Sequence, residues 1–287
     1  MTVSSLLNYQ FAWNNFLFGN GTPHVLMSVD GLQDLPQIRN QDDDQGYSDG
    51  MFSGNDFFGG RTITFTLATY ATAGGNTARQ NFLLLKAALL PQSSGTAPLQ
   101  FQLPGSSLQR INARVRTALI PIDANYTFGQ INSQFTFFCP DPKFYDDTLF
   151  TSTLSFNAPT GRSYNRIYPL VYGAGGGNTS YTAVANTGWA TSYPVITING
   201  PIINPTIGNF TTGISITITG TFVSTDVIVV DLASKLVTVN GATARNLVTG
   251  ASKWFNAPAG TSQFYLTGTG TTPGTTNATV AYRSAYV

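Results

Sequence analysis

Apolar and polar side chains alternate with a period of two over much of this chain. From Arg61 the segment RTITFTLATY sets Ile63, Phe65 and Leu67 against Thr62, Thr64 and Thr66. That spacing predicts a strand with one buried face and one polar face. Residues 108–120, LQRINARVRTALI, place Ile111, Ala113, Val115 and Leu119 on one strand face and Arg110, Arg114 and Arg116 on the other. The first forty or so residues alternate more weakly, around Phe11, Trp13, Phe16 and Phe18. They read as one or two strands with turns at Gly19-Asn20-Gly21 and Asp30-Gly31. One segment changes to helical spacing: in NTARQNFLLLKAALLP, Phe82, Leu85 and Leu89 share a face. Asn76 or Thr77 can cap that helix and Pro91 stops it.

Past residue 142 the pattern becomes a run of short strands with turn signals at fairly even spacing, as in a sandwich or jelly roll. The clearest are Val195 to Ile198, Ile214 to Thr219, Val227 to Leu232, Leu236 to Val239, Phe264 to Thr267 and Ala278 to Arg283. Asp231 to Lys235 reads as a hairpin turn, and the apolar run Val227 to Val230 as a strand inside the sandwich. Two prolines in CPDPKFYDD break the alternation, so a domain boundary is expected near residue 142, giving domains 1–142 and 143–287. Residues 40–60, RNQDDDQGYSDGMFSGNDFFGG with its flanks, are rich in Asp, Asn, Ser and Gly and predict a long exposed loop. A second polar loop is expected around Ser93 to Pro98.

Composition supports a mainly β chain. Of 287 residues, 42% are hydrophobic, enough for a packed core, and 29 Gly and 15 Pro supply turns. Charged residues make up 9%, against roughly 25% in an ordinary soluble domain. There is no Glu, so strong helix formers are scarce. A formal net charge of +1 is not that of a nucleic-acid binder. Few charges also mean little repulsion between copies, so dense self-association is tolerated. The lone Cys139 cannot close an intrachain disulfide. The first basic residue is Arg39 and no apolar run spans a bilayer, so neither a signal peptide nor membrane insertion is expected.

The chain offers little reactive chemistry. With a single His and a single Cys, zinc and haem sites have too few donors, and no metal or cofactor is expected. Asp42-Asp43-Asp44 with Gly46 lacks the spacing and the terminal Glu of an EF-hand loop. His24, after Pro23, reads as a strand-edge residue, and Cys139 as a buried inert thiol. Asp146 and Asp147 are adjacent, so on a strand they face opposite ways and do not flank a cleft. Asp226 and Asp231 read as turn residues. Gly173 to Gly177 is followed by neither Lys-Ser/Thr nor a helix and reads as a turn. No catalytic residue is assigned, and an enzyme is not expected. The arginine face is the more informative feature: either it is solvated with local partners, or it docks acidic groups such as Asp42 to Asp44 of a neighbouring copy.

The two halves together resemble the distal tail (Dit) proteins of siphoviruses, of the kind found as minor tail proteins in phages of actinobacteria. In the first half the similarity lies in DGMFSGNDFFGGRTITFTLATY, where Gly60 and Arg61 lead from a Gly- and Asp-containing loop into a strand. In the second it lies in GPIINPTIGNFTTG, DVIVVDLASKLVTVNG, WFNAPAGTSQFYLTG and the terminal AYRSAYV, in family order and spacing. The resemblance implies an N-terminal belt domain related to tail-tube subunits, a β barrel or sandwich with one helix, and a C-terminal galectin-like β-sandwich. It implies a non-enzymatic virion component, a hexameric ring between tail tube and tip, found in the virion and in the host cytoplasm during assembly. Its expected neighbours are further copies of itself, the major tail protein, the tape-measure protein and the tail-associated hub protein. The candidate inter-subunit residues are Asp42, Asp43, Asp44, Phe52, Phe57, Phe58, Arg61, Arg110, Arg114 and Arg116. An alternative is a lectin-like tail-tip protein, with Trp189, Trp254 and several Tyr available to stack on a sugar. A cell-wall-degrading enzyme is a third possibility, disfavoured by the absence of Glu and of any ligand cluster.

Overall fold

The computed structural model describes residues 5–91, 95–156 and 179–287. The glycine run at 173–177 lies outside them, as does most of the start of the expected loop at Ser93. The described chain falls into two compact units, residues 1–147 with Val287, and 148–286.

The first unit holds β1 (Gln10–Trp13), β2 (Phe16–Gly19), β3 (His24–Asp30), β4 (Ile38–Arg39), β5 (Asp43–Asp44), β6 (Met51–Phe52), β7 (Phe57–Phe58) and β8 (Arg61–Thr69). Helix α1 (Ala78–Ala88) follows, then β9 (Ala97–Gln102), β10 (Gln109–Leu119), α2 (Ala124–Thr127), β11 (Ile131–Cys139) and β12 (Phe144–Asp146). The main antiparallel sheet runs β2-β1-β9-β10-β11-β8-β3, with β12 also on β10. The long strand β10 is the corner. Its first half pairs with β9 and β12, and its second half, from Arg114, pairs with β11. The two sheet halves close on a core of rings. Phe11, Phe65, Phe101, Phe135 and Phe137 are 0–1% exposed, and Phe18 meets Phe65 edge-on at 5.2 Å. Each buried ring contributes on the order of 2 kcal/mol. Trp13 Nε1 donates to the Ala88 carbonyl at 3.1 Å and so ties the end of α1 to this core.

The alternation in β8 is realised directly: Ile63, Phe65 and Leu67 are fully buried. In α1, Thr77 is the cap. Its hydroxyl accepts from Gln80 N–H at 3.3 Å while Gln80 Oε1 accepts from Thr77 N–H at 2.8 Å. Phe82, Leu85 and Leu89 are buried as the spacing predicts. Helix α2, a single turn capped by Asp123, is an addition that the sequence pattern did not signal.

Two expectations are corrected. The face of β10 does not continue to Leu119, which is 60% exposed. A β-bulge between Val115 and Thr117 leaves Arg116 without a cross-strand partner and shifts the phase of the alternation. Residues 37–59 are not an irregular loop but a hairpin, with β4 on β7 and β5 on β6. The unit boundary at Asp147 follows that expected near residue 142 because β12 pairs with β10.

The second unit holds β13 (Phe150–Ser155), β14 (Thr179–Asn186), β15 (Val195–Asn199), β16 (Ile202–Asn209), β17 (Ile214–Thr217), β18 (Thr221–Phe222) and β19 (Val227–Asp231). It continues with β20 (Leu236–Val239), β21 (Ala242–Thr243), β22 (Gly260–Thr269), β23 (Asn277–Tyr282) and β24 (Ala285–Tyr286). A six-stranded sheet, β13-β23-β15-β19-β20-β21, and a five-stranded sheet, β14-β22-β16-β17 with β18 on β16, enclose one core, mostly aliphatic with Phe255 and Phe264 among it. Ile196, Ile198, Ile207, Ile216, Ile228 and Val230 are fully buried within it. Val227 and Val229 are only half-buried, so β19 buries one face where its unbroken apolar run suggested two. Asn186, 1% exposed, acts as a polar staple. Its amide donates to the carbonyls of Ala190 and Ala257 at 2.7 and 3.1 Å, and its oxygen accepts from Ala285 N–H at 3.1 Å.

Candidate functional site

The hairpin arm of the first unit is the most unusual surface in the structure. Its strands are two residues long and the ends are clipped by Gly59 N–H to the Gln37 carbonyl at 2.6 Å and Gln45 N–H to the Gly50 carbonyl at 3.2 Å. From Gln37 to Phe58 no residue is buried. Phe52 is 64% exposed, Ile38 and Met51 54%, and Tyr47 at the turn wholly so. A two-stranded ribbon without a core is marginal in water, and exposed apolar side chains on it call for a covering surface. The arm also carries Asp42, Asp43, Asp44, Asp49 and Asp56, with no basic residue between Asn40 and Asp56.

The candidate residues divide by position. Asp42 is spent within the arm: its carboxylate accepts from Gly54 N–H at 2.8 Å and from the Asn40 amide at 3.1 Å. Asp43, Asp44, Phe52, Phe57 and Phe58 are exposed on the arm. Arg61 is not a surface residue but a buried anchor, 2% exposed. Its Nη1 donates to the carbonyls of Gly31, Leu32 and Asp34 at 3.0, 2.9 and 2.6 Å, and its Nε to Pro142 at 3.2 Å. The guanidinium carbon lies 4.4 Å from the Phe144 ring centroid. Burial holds its pKa below the usual arginine range, and the nearby Cys139 and Asp34 act in the opposite direction. An inward side chain at the first position of β8 placed it there, so Arg61 leaves the list of contact candidates.

The expected three-arginine face is reduced in the same way. Arg110 is half-buried and bonds Asp147 Oδ1 through Nε and Nη2, each at 2.7 Å. Arg114 and Arg116 remain. Both face one ring: Arg114 stands opposite Phe138 in register and Arg116 sits at the bulge, with guanidinium carbons 5.3 and 5.1 Å from the centroid of Phe138. Arg114 Nε is buried with no hydrogen-bond partner. The root of the arm packs on that same ring, because a Cβ on Gly60 would lie 2.7 Å from Phe138 Cζ. The sequence carried no sign that the arm root and this cation pair share a side chain. That follows from the pairing of Arg114 with Phe138 across β10 and β11.

The residues weighed for chemistry have structural settings. His24 opens the edge strand β3 yet is 3% exposed, with Nδ1 3.1 Å from Thr69 Oγ1 and its ring beside Phe16. Burial lowers its pKa to about 4. Cys139 is fully buried, and burial pushes its thiol up to about 12. Asp146 is buried and accepts from Ser107 Oγ. Asp226 accepts from Val223 N–H and the Asn240 amide, each at 2.8 Å, and Asp231 accepts from Ala233 N–H at 2.9 Å, as turn residues do. Trp254 packs against the core of the second unit, while Trp189 is 71% exposed and stands edge-on to Tyr286. Among the described residues no three His, Cys, Asp or Glu side chains cluster as metal ligands, and no helix is long and apolar enough to cross a membrane.

Comparison with known proteins places this architecture. Residues 187–286 match the family model for the C-terminal domain of the siphovirus-type tail component. No curated protein matches the chain in sequence. Among solved structures, the Dit protein (gp 19.1) of phage SPP1, described as a paradigm of the hub adsorption apparatus in phages infecting Gram-positive hosts, is similar with a TM-score of 0.64. The two share 14% identity over 97% of this chain and 99% of that one. A chain of the phage P2 baseplate in its activated, calcium-bound conformation is similar with a TM-score of 0.50, at 14% identity over 97% and 99% of the two chains. The resemblance read from the sequence is borne out: residues 187–286 match the siphovirus-type tail component C-terminal domain, and the chain shares, over nearly its whole length, the fold of the SPP1 Dit protein.

Proposed function

We propose that this chain is a structural, non-enzymatic virion protein of a long-tailed phage, which closes with further copies of itself into a ring, hexameric by family resemblance, that joins the tail tube to the tip. The first unit acts as the ring-forming belt and the second as a galectin-like sandwich, a reading supported by its six- and five-stranded antiparallel layers. The major tail protein, the tape-measure protein and the tail-associated hub protein are the expected neighbours, in the virion tail and, before that, in the host cytoplasm.

The observation that carries the reading is the arm. It projects exposed aromatic residues and Asp43 and Asp44 on a ribbon that buries nothing of its own. On the same unit, Arg114 and Arg116 form a cation pair around Phe138. Acidic arm and basic pair on one unit are the ingredients of a heterologous contact, in which each copy docks its arm on the next until the ring closes. A contact of that kind buries on the order of 2,000 Å² or more.

The test is the mass of the particle in solution. Light scattering on the purified chain should give a closed oligomer. Arg114→Glu with Arg116→Glu, and separately deletion of residues 41–56, should shift it toward the monomer. An unchanged mass in both variants removes the arm-to-arginine contact.

A further inference from the structure

The outer face of the five-stranded sheet in the second unit carries an aromatic cluster that no core uses. Tyr181 on β14 pairs in register with Tyr265 on β22, which pairs in turn with Gly208 on β16. Phe210, just past β16, is fixed by its N–H to the Gln263 carbonyl at 2.7 Å. The two tyrosine centroids are 6.1 Å apart with ring planes 41° from each other. Phe210 stands at 87° to Tyr181 and 89° to Tyr265. The tyrosines therefore form a shallow floor and the phenylalanine an upright wall. Tyr181 is 50% and Phe210 61% exposed. Gly208 lets Tyr265 lie across the sheet, since a Cβ there would meet Tyr265 Cε1 at 2.8 Å and the Ile214 carbonyl oxygen at 2.7 Å.

The surroundings select the ligand. The outward positions around the rings are Thr179, Thr206, Ser215, Thr217, Gln263 and Thr267. Among the described residues of these strands none that faces outward is charged, and Lys253, whose N–H bonds the Ser215 carbonyl, lies beyond the edge strand β17. A nucleic-acid backbone or an anionic lipid surface would be met by basic side chains, which this face lacks. Thr179 Oγ1 donates to Thr267 Oγ1 at 3.1 Å, and the Oγ1 atoms of Thr206 and Thr217 lie 2.9 Å apart, so each pair keeps one hydroxyl hydrogen that a purely apolar partner would bury unpaired. A neutral sugar ring fits both parts: its C–H face lies on the aromatic floor and its hydroxyls exchange hydrogen bonds with Thr, Ser and Gln. We propose that Tyr181, Tyr265 and Phe210 form a binding platform for a neutral pyranose within a polysaccharide. This binding site is independent of the arm contact and adds an adhesive role to the structural one.

The experiment is affinity electrophoresis of the full chain through gels containing dextran, mannan or galactan, with dextran sulfate as the charged comparison. At least one neutral polymer should retard the protein. Tyr181→Ala and Phe210→Ala should each weaken the retardation about tenfold, the scale of one lost aromatic contact. Tyr265→Phe, which keeps the ring, should preserve most of it. Because Tyr181 and Phe210 are exposed, thermal melting and particle mass should stay at wild-type values. The proposal is overturned if no neutral polymer retards the chain, if only dextran sulfate does, or if the alanine variants migrate as the wild type. It is equally overturned if those variants lower the particle mass while sugars have no effect, which would make the face a contact between copies.

Discussion

Replacing Arg61 by methionine removes a guanidinium that donates to four carbonyls and leaves a side chain of similar length. In the native chain the guanidinium is 2% exposed and bonds Gly31, Leu32, Asp34 and Pro142 at 2.6–3.2 Å. A hydrogen bond from a charged donor contributes about 1.5–3 kcal/mol, so these bonds have a large gross value. Two effects reduce it. Water can reach the carbonyl of the exposed Asp34, though not that of the buried Leu32, and methionine relieves the cost of keeping a cation buried. The net loss should be about 3–5 kcal/mol. For a unit of about this size, 1 kcal/mol is worth about 2–4 °C, so melting of the first unit should fall by about 10 °C. Calorimetry of the full chain is the assay, with the second unit as internal reference, because none of its core atoms takes part. Arg61→Lys keeps the charge, yet one ammonium cannot serve both the 31–34 loop and Pro142, so an intermediate loss is expected. Hydrogen exchange at Gly59, whose N–H closes the arm root, should speed up in the methionine variant. A variant within about 1 kcal/mol of the wild type, with exchange at Gly59 unchanged, would refute the role of Arg61 as anchor.

Two further outcomes can be checked. His24 is held neutral by burial with a pKa of about 4, below its unfolded value of about 6.5. The unfolded state then binds the extra proton first, so stability from this group is complete above about pH 6.5 and is lost as the pH falls toward 4, by up to about 3 kcal/mol. Urea titrations of His24→Leu across this window should show a shallower pH slope than the wild type, and an identical slope would rule the assignment out. Thr77→Ala breaks the reciprocal cap with Gln80 and should cost about 1 kcal/mol in chemical denaturation. Thr77→Ser should retain nearly all of it, and equal losses in the two variants would show that the hydroxyl is not what caps α1.

The sequence by itself determined much of the local structure, because local structure depends on short-range periodicity. Ile63, Phe65 and Leu67 alternate with threonines, and no arrangement other than a half-buried strand hides all of them. Thr77 to Leu89 announced both a cap and an apolar stripe. Six of the twelve described strands of the second unit, β15, β17, β19, β20, β22 and β23, lie where short apolar runs and turn residues placed them, while β13, β14 and β16 were not read from the pattern. The Asn14-Asn15 hairpin turn was less legible, since it depends on two non-glycine residues adopting φ of 49° and 64°.

Only the tertiary structure decided which side chains are available to a partner. Arg61, Arg110, Arg114 and Arg116 look alike in a one-dimensional reading. The inward start of β8 buries Arg61, Asp147 from beyond β12 neutralises Arg110, and the pairing of β10 with β11 sets Arg114 and Arg116 over Phe138. Residues 37–59 are polar enough to read as a loop, and cross-strand pairing of short rungs made them an arm. Tyr181, Phe210 and Tyr265 lie on three separate segments, and strand register alone brings them together. Periodicity fixes which face of an element is apolar. It carries no information about which distant element meets that face, and the exposed chemistry of this protein is set by those meetings.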